Sequence, residues 1–176
     1  MPVPFLIAAL IWAELQPFRL IFGALLASTG ELLRIQAVRY AGGATRTRNV
    51  GAAHLVTSGP YAHMRNPLYL GNIAIYLGYA LASGALFPYL PMLVLLYFSF
   101  QYALIVALEE KTLAELFGEE YAEYCRKVPR LWPRLTVRTG NAQPDCPLSE
   151  ALTQESRTLQ GFFIAWLLLA GRWMLF

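Results

Sequence analysis

Apolar residues in this chain come in long runs separated by short polar breaks. The first run, residues 2–16, is brief for a bilayer crossing and closes at Glu14, Gln16 and Pro17, so it predicts either a tilted first helix or a half-inserted one. Residues 18 to about 40 are long enough to cross, and Glu31 and Arg34 stand within them at a spacing that puts both on one helical face. These two charges have two readings. Either they face protein or water within the membrane layer, or the span ends near Leu33 and Arg34 extends to the headgroups. A third span is predicted from 67 to about 86, with Pro67 as its first residue and Asn66 placed to cap it. The stretch SGALFPYLP turns the chain into a fourth span, 89 to about 108. That helix continues into EEKTLAELFGEEYAEYCRKV, where apolar residues recur at helical spacing between charges and Gly118 is the point at which it would break. Past Pro129 the chain reads as irregular and rich in proline and arginine. TLQGFFIAWLLLAGRWMLF then forms a last apolar helix of barely spanning length.

This pattern predicts an all-α, polytopic integral membrane protein with four to five transmembrane helices. The composition agrees: 57% of the 176 residues are hydrophobic and 14% charged, where soluble domains carry about 25% charge. After four or five spans of about 20 residues there is no room for a separate soluble catalytic domain. The chain therefore reads as one domain over 1–176, with N-terminal spans (1–40), a loop (41–66), a helical hairpin (67–108), a polar region (109–156) and a C-terminal helix (157–176). The N-terminus lacks a basic leader region and a small-residue cleavage site, so it is expected to stay in the mature protein.

Charge placement adds the orientation. Arg39, Arg46, Arg48 and Arg65 fall in or beside the loop, six more Lys or Arg residues follow the fourth span before residue 140, and the 83–91 turn carries none. The positive-inside rule puts both basic segments in the cytoplasm. The small net charge of +3 thus speaks for membrane orientation, and nothing in it resembles a nucleic-acid surface. Cys125 and Cys146 lack metal-ligand spacing and fall on the reducing side, so they receive no role.

The orientation also brings two polar segments to one face: LVTSGPYAHMRNPLYLGN (55–72) and the acidic EEKTLAELFGEEY helix. Alone, Arg65-Asn66-Pro67 is a helix start and Ser58-Gly59-Pro60 a turn. Together with Glu109 and Glu110 at the facing helix end, and with tyrosines close by, they make a cradle for a zwitterion. The plainer reading of the acids is a solvated helix face with ordinary pairs such as Lys111 with Glu115.

LVTSGPYAHMRNPLYLGN, followed after a hairpin by EEKTLAELFGEEYAEYCRKVPRLWP, resembles the paired signature of the isoprenylcysteine carboxyl methyltransferase family and its phospholipid methyltransferase relatives. The family pattern is close to LVTxGxYxxxRHPxYxG and EExxLxxxFGxEYxxYxxxVPRxxP, and the likeness covers roughly residues 30 to 134. The resemblance implies an integral membrane enzyme that binds S-adenosylmethionine in a cytoplasmic pocket. His54, Leu55 and Val56 would line the adenine end. Tyr61 and the elbow Arg65-Asn66-Pro67-Leu68-Tyr69 would hold the methionine moiety, and Glu109 would meet its charged end. A sulfonium or ammonium is well met by carboxylate and aromatic faces, and a carboxylate by arginine and a helix N-terminus. The chain departs from the pattern at Asn66, where the family has a protonatable His, and at Ile105, where members that methylate prenylated cysteine have a substrate-binding Arg.

The activity so implied is S-adenosylmethionine-dependent methyl transfer to a lipophilic or amphiphilic small substrate delivered from the bilayer, with Arg65, Asn66 and Glu110 as catalytic candidates and no metal. The protein would sit in the inner membrane if bacterial. Glu110, Tyr69 and His63 are the candidate bases should the acceptor have to lose a proton. Carboxylate, amine and thiol acceptors all remain open. Two alternatives stand beside this reading: a membrane reductase-like cofactor-binding protein, and a non-catalytic protein of the same fold that binds lipid or a partner. Gly161 and Gly171 are too far apart for a close-packing motif, so the oligomeric state is left open.

Overall fold

The computed structural model describes residues 3–42, 54–134 and 143–175. Arg46 and Arg48 of the sequence reading, and Arg138 among the six later basic residues, lie outside the described residues. Within them the chain is all α: α1 (Val3–Ile11), α2 (Pro17–Ala41), α3 (Pro60–His63), α4 (Pro67–Ser83), α5 (Tyr89–Lys127), α6 (Leu148–Gln154) and α7 (Ser156–Leu175). Proline is the first residue of α2, α3 and α4. Its fixed φ suits that position, and its missing N–H would have had no helical partner there.

Three helices, α2, α5 and α7, are long and apolar enough to cross a membrane. α4, with 17 residues, rises about 26 Å, at the lower limit for a span. α1 has nine residues and rises about 14 Å, less than half of the hydrocarbon core. α5 runs past its apolar part as expected and bends at Gly118, where φ is 51° and ψ is −120°. A Cβ there would meet nothing within 4 Å, so glycine is required by the backbone conformation and not by crowding. The short α6 was not anticipated, because LSEALTQ is too brief and too polar to show a helical period.

The chain divides into two compact units, each assembled from separated segments: Met1–Leu32, Gly71–Phe100 and Ser156–Phe176 form the first, Leu33–Leu70 and Gln101–Glu155 the second. The first is built on close backbone approach. A Cβ on Gly78 would lie 2.5 Å from the Gly23 carbonyl oxygen and 2.9 Å from Ala27 Cβ, and one on Gly30 would lie 2.6 Å from the Gly71 carbonyl oxygen. Small residues on α2 and α4 thus let the two backbones touch, which is how helices associate in lipid, where apolar contact alone gives no preference for protein over acyl chain. Tyr79 Oη donates to the Ala165 carbonyl oxygen (3.1 Å) and ties α4 to α7, while Tyr76 stacks on Phe98 with ring centroids 4.1 Å apart.

The second unit holds two small buried clusters. Val38, Cys146 and Ala151 pack with Leu68, and Tyr121, Tyr124 and Val128 pack with Leu55, Leu113, Phe117 and Cys125. Arg34 donates to Glu155 at 2.6 Å, and the side chains are 11% and 2% exposed. That decides between the two readings of Arg34: its guanidinium faces protein and does not extend to the headgroups.

Candidate functional site

The polar elbow between α3 and α4 starts at Gly59, whose φ of 58° and whose Cβ position, occupied by the Tyr40 ring, both demand glycine. Pro60 then opens the single turn of α3, Met64 is extended, and Pro67 opens α4. An elbow of this kind leaves backbone groups that no helix satisfies. The last turn of α5 and the segment after it take them up. Arg65 N donates to the Pro129 carbonyl oxygen (2.9 Å), Arg134 N to that of His63 (2.9 Å), and Tyr124 Oη to that of Tyr61 (2.7 Å). His63 Nδ1 lies 2.8 Å from the Arg134 carbonyl oxygen and, facing an acceptor, carries the proton. The two sequence motifs are therefore clasped along their backbones.

Asn66 belongs to this clasp. Its Nδ2 donates to the Arg130 carbonyl oxygen at 3.1 Å, so its side chain secures the post-α5 segment from the position that directly precedes Pro67 of α4.

The adjacent acids of α5 have different surroundings, because successive residues on a helix point about 100° apart. Glu109 Oε1 accepts from Tyr69 Oη at 2.6 Å, and the Tyr69 ring lies against Tyr102 with centroids 4.8 Å apart. Glu110 is 13% exposed and faces two guanidinium groups. Arg65 Nη1 is 3.4 Å from its Oε1, and Arg130 reaches its carboxylate through Nε (3.0 Å to Oε2) and Nη2. That hydrogen-bonded contact holds the Arg130 guanidinium above its ordinary pKa, so it stays charged. Arg65 also donates to Cys125 Sγ, and its Nε is buried without a hydrogen-bond partner. Burial pushes the Tyr61 phenol well above its usual range, with the Glu109 charge adding to the effect and Arg34 opposing it. Tyr61 is thus a neutral hydroxyl at physiological pH.

Of the residues predicted for the site, Arg65, Asn66, Tyr69, Glu109 and Glu110 join one polar cluster, and Tyr61 feels its charge. The others lie in different settings. His54 is exposed, with Nε2 3.1 Å from Asp145 Oδ2. Leu55 packs on the Tyr121 and Tyr124 cluster, Leu68 on Val38, Cys146 and Ala151, Val56 is half-buried and Pro67 fully buried. Sequence reasoning missed Tyr102, Tyr124, Cys125 and Arg130 as neighbours of the cluster. Tyr124 and Arg130 stand in the quoted motif, which was a signal; Tyr102 and Cys125 carried none. Among the described residues, no group of three or more His, Cys, Asp or Glu side chains is placed to hold a metal ion.

A family model described as "Phospholipid methyltransferase" matches residues 18–120. The chain is 31% identical over 147 residues to the cobalt-zinc-cadmium resistance protein CzcN of Cupriavidus metallidurans, covering 80% of this chain and 64% of that one. It is 30% identical over 86 residues to the nickel-cobalt-cadmium resistance protein NccN of Alcaligenes xylosoxydans xylosoxydans, covering 49% of this chain and 39% of that one. The chain thus spans less than two thirds of the length of either relative. No solved structure matches it.

Proposed function

The chain belongs to the phospholipid methyltransferase family, and from that membership we propose that it transfers a methyl group from S-adenosylmethionine to a lipophilic or amphiphilic acceptor drawn from the bilayer. The observation that carries this reading is the Glu109 carboxylate, held by the Tyr69 hydroxyl and close enough to Tyr61 to influence it. A carboxylate among aromatic side chains suits a cation. S-Adenosylmethionine supplies, when bound, a methyl group on a positively charged sulfur that a nucleophile displaces in line.

The chain's own residues fit that cofactor class. Glu109 would hold the positive end, with Tyr69 orienting the carboxylate and Tyr61 offering a neutral hydroxyl. Arg65 would meet a carboxylate, and its buried, unpartnered Nε is a donor in need of an acceptor. Glu110, committed to Arg65 and Arg130, acts through Arg65 as a positioning residue, not as the base. The clasp between 63–66 and 124–134 keeps the elbow and the acidic helix end in register, and alignment of this kind is a large part of what an enzyme adds to a transfer reaction. The Arg and Lys bias of the flanking loops supports a cytoplasmic site. Ile105, apolar where carboxyl-methylating relatives have Arg, argues for an acceptor other than a prenylcysteine carboxylate.

Calorimetric titration of the lipid-reconstituted protein with S-adenosylmethionine, followed by transfer of its labelled methyl group into a lipid extract, tests the proposal. Saturable binding and a labelled product that both disappear in Glu109→Gln are expected. Lack of affinity for the cofactor in reconstituted protein rules the reading out.

A further inference from the structure

Trp132 stands in the middle of the clasping segment and is 84% exposed. The backbone on both sides of it is held: Pro129 and Arg130 accept from Arg65 and Asn66, and Arg134 is bonded to His63 in both directions. The segment that presents the exposed indole is therefore held in place.

The same bonds set its level along the helices. Arg130 pairs with Glu110, two residues beyond Leu108, where the apolar run of α5 ends. Asn66, bonded to the Arg130 carbonyl, immediately precedes the first residue of α4. Trp132 thus lies where apolar helix gives way to polar chain. Tryptophan concentrates at that depth of a bilayer because its ring is apolar and its N–H needs a polar partner.

Charge points the same way. Arg126 is paired with Glu119 and Lys127 with Glu123, so those cations are balanced within the helix. Arg134 donates to the Lys127 carbonyl oxygen and, among the described residues, has no carboxylate partner. An uncompensated guanidinium beside an exposed indole matches a phosphate over an acyl chain.

We propose that residues 129–134 are a membrane-interface anchor in which Trp132 seats its indole in the lipid headgroup layer, so that the bilayer itself holds the clasp against the elbow. The occupant is the lipid interface, not a second protein, and the anchor needs neither cofactor nor substrate.

Trp132 is one of four tryptophans, so its signal is the fluorescence difference between the wild type and Trp132→Phe, each in lipid nanodiscs. At so exposed a position Trp132→Phe leaves folding intact. The difference signal is expected to be blue-shifted, quenched more by phospholipid brominated high on the acyl chain than by lipid brominated near the chain end, and poorly quenched by aqueous acrylamide. Strong acrylamide quenching with no effect of either brominated lipid puts the indole in water and overturns the proposal. A blue shift that vanishes as the protein is diluted to one copy per nanodisc assigns the cover to a second copy and overturns it equally.

Discussion

The hydroxyl of Tyr69 donates to Glu109 at 2.6 Å, so one oxygen of that carboxylate is oriented by a neutral donor that leaves its charge uncancelled. Tyr69→Phe removes one charge-assisted hydrogen bond, a loss of about 1.5–3 kcal/mol where fully expressed. With the pair half-buried, the expected outcome is roughly a tenfold weakening of S-adenosylmethionine binding by calorimetry, with each tenfold corresponding to about 1.4 kcal/mol. Glu109→Gln, which removes the charge, is expected to weaken binding more than Tyr69→Phe. Equal affinity of both variants and wild type would remove Glu109 from the cofactor site.

Glu110 balances two arginines, and its removal leaves Arg65 mostly buried beside a thiol. A fully buried pair broken on one side costs about 3–5 kcal/mol. The exposures of 13% and 16% here reduce the expectation for Glu110→Ala to about 2–3 kcal/mol, read as a lowered melting temperature in detergent. The Arg65→Ala, Glu110→Ala double variant should lose less than the sum of the single losses, since the second change removes the stranded partner.

Asn66→Ala deletes the bond to the Arg130 carbonyl and is expected to cost about 1 kcal/mol of stability. Asn66→His introduces a group that titrates near about 6.5. A new acid limb in the pH profile of methyl transfer, absent from wild type, would show that position 66 touches the reaction; an unchanged profile confines the residue to the clasp.

Gly78→Val is expected to prevent accumulation of folded protein, because even a Cβ there meets the Gly23 carbonyl at 2.5 Å and Ala27 at 2.9 Å. Gly161→Ala and Gly171→Ala have open space within 4 Å and should be neutral or stabilising by about 0.5–1 kcal/mol, since alanine is the better helix former. Yield of monodisperse protein and its melting temperature distinguish the two classes.

Cys146 is buried, and desolvation holds its thiol above the usual range, with Glu150 adding to the rise and Arg39 opposing it. A raised folded pKa means that the folded state keeps its proton longer than the unfolded chain does. The resulting stability is full below the unfolded value, about 8.5, and is lost as pH rises through the folded one. Melting curves should therefore show an alkaline decline above pH of about 8.5 that is smaller in Cys146→Ala. Maleimide should label Cys146 only on unfolding.

Helix content and the apolar spans were legible in the chain because both depend on local pattern. Twenty apolar residues in a row have few other options in a membrane, Pro67 opens α4, and Gly118 bends α5 where the spacing suggested it would. The elbow and the acid pair were legible as chemistry. What could not be read was which acid would be neutralised. Glu109 and Glu110 are chemically identical, and they differ only because Arg130 returns from twenty residues away to one of them while Tyr69 reaches the other. A cap role for Asn66 is readable because capping is local; its bond to the Arg130 carbonyl, 64 residues away, is not. Local pattern lets Arg34 reach the headgroups; Glu155, 121 residues on, holds it against protein instead. Local period and residue type carry the helices. The site is a matter of long-range pairing, and the energy of a charge depends on which partner the fold brings to it.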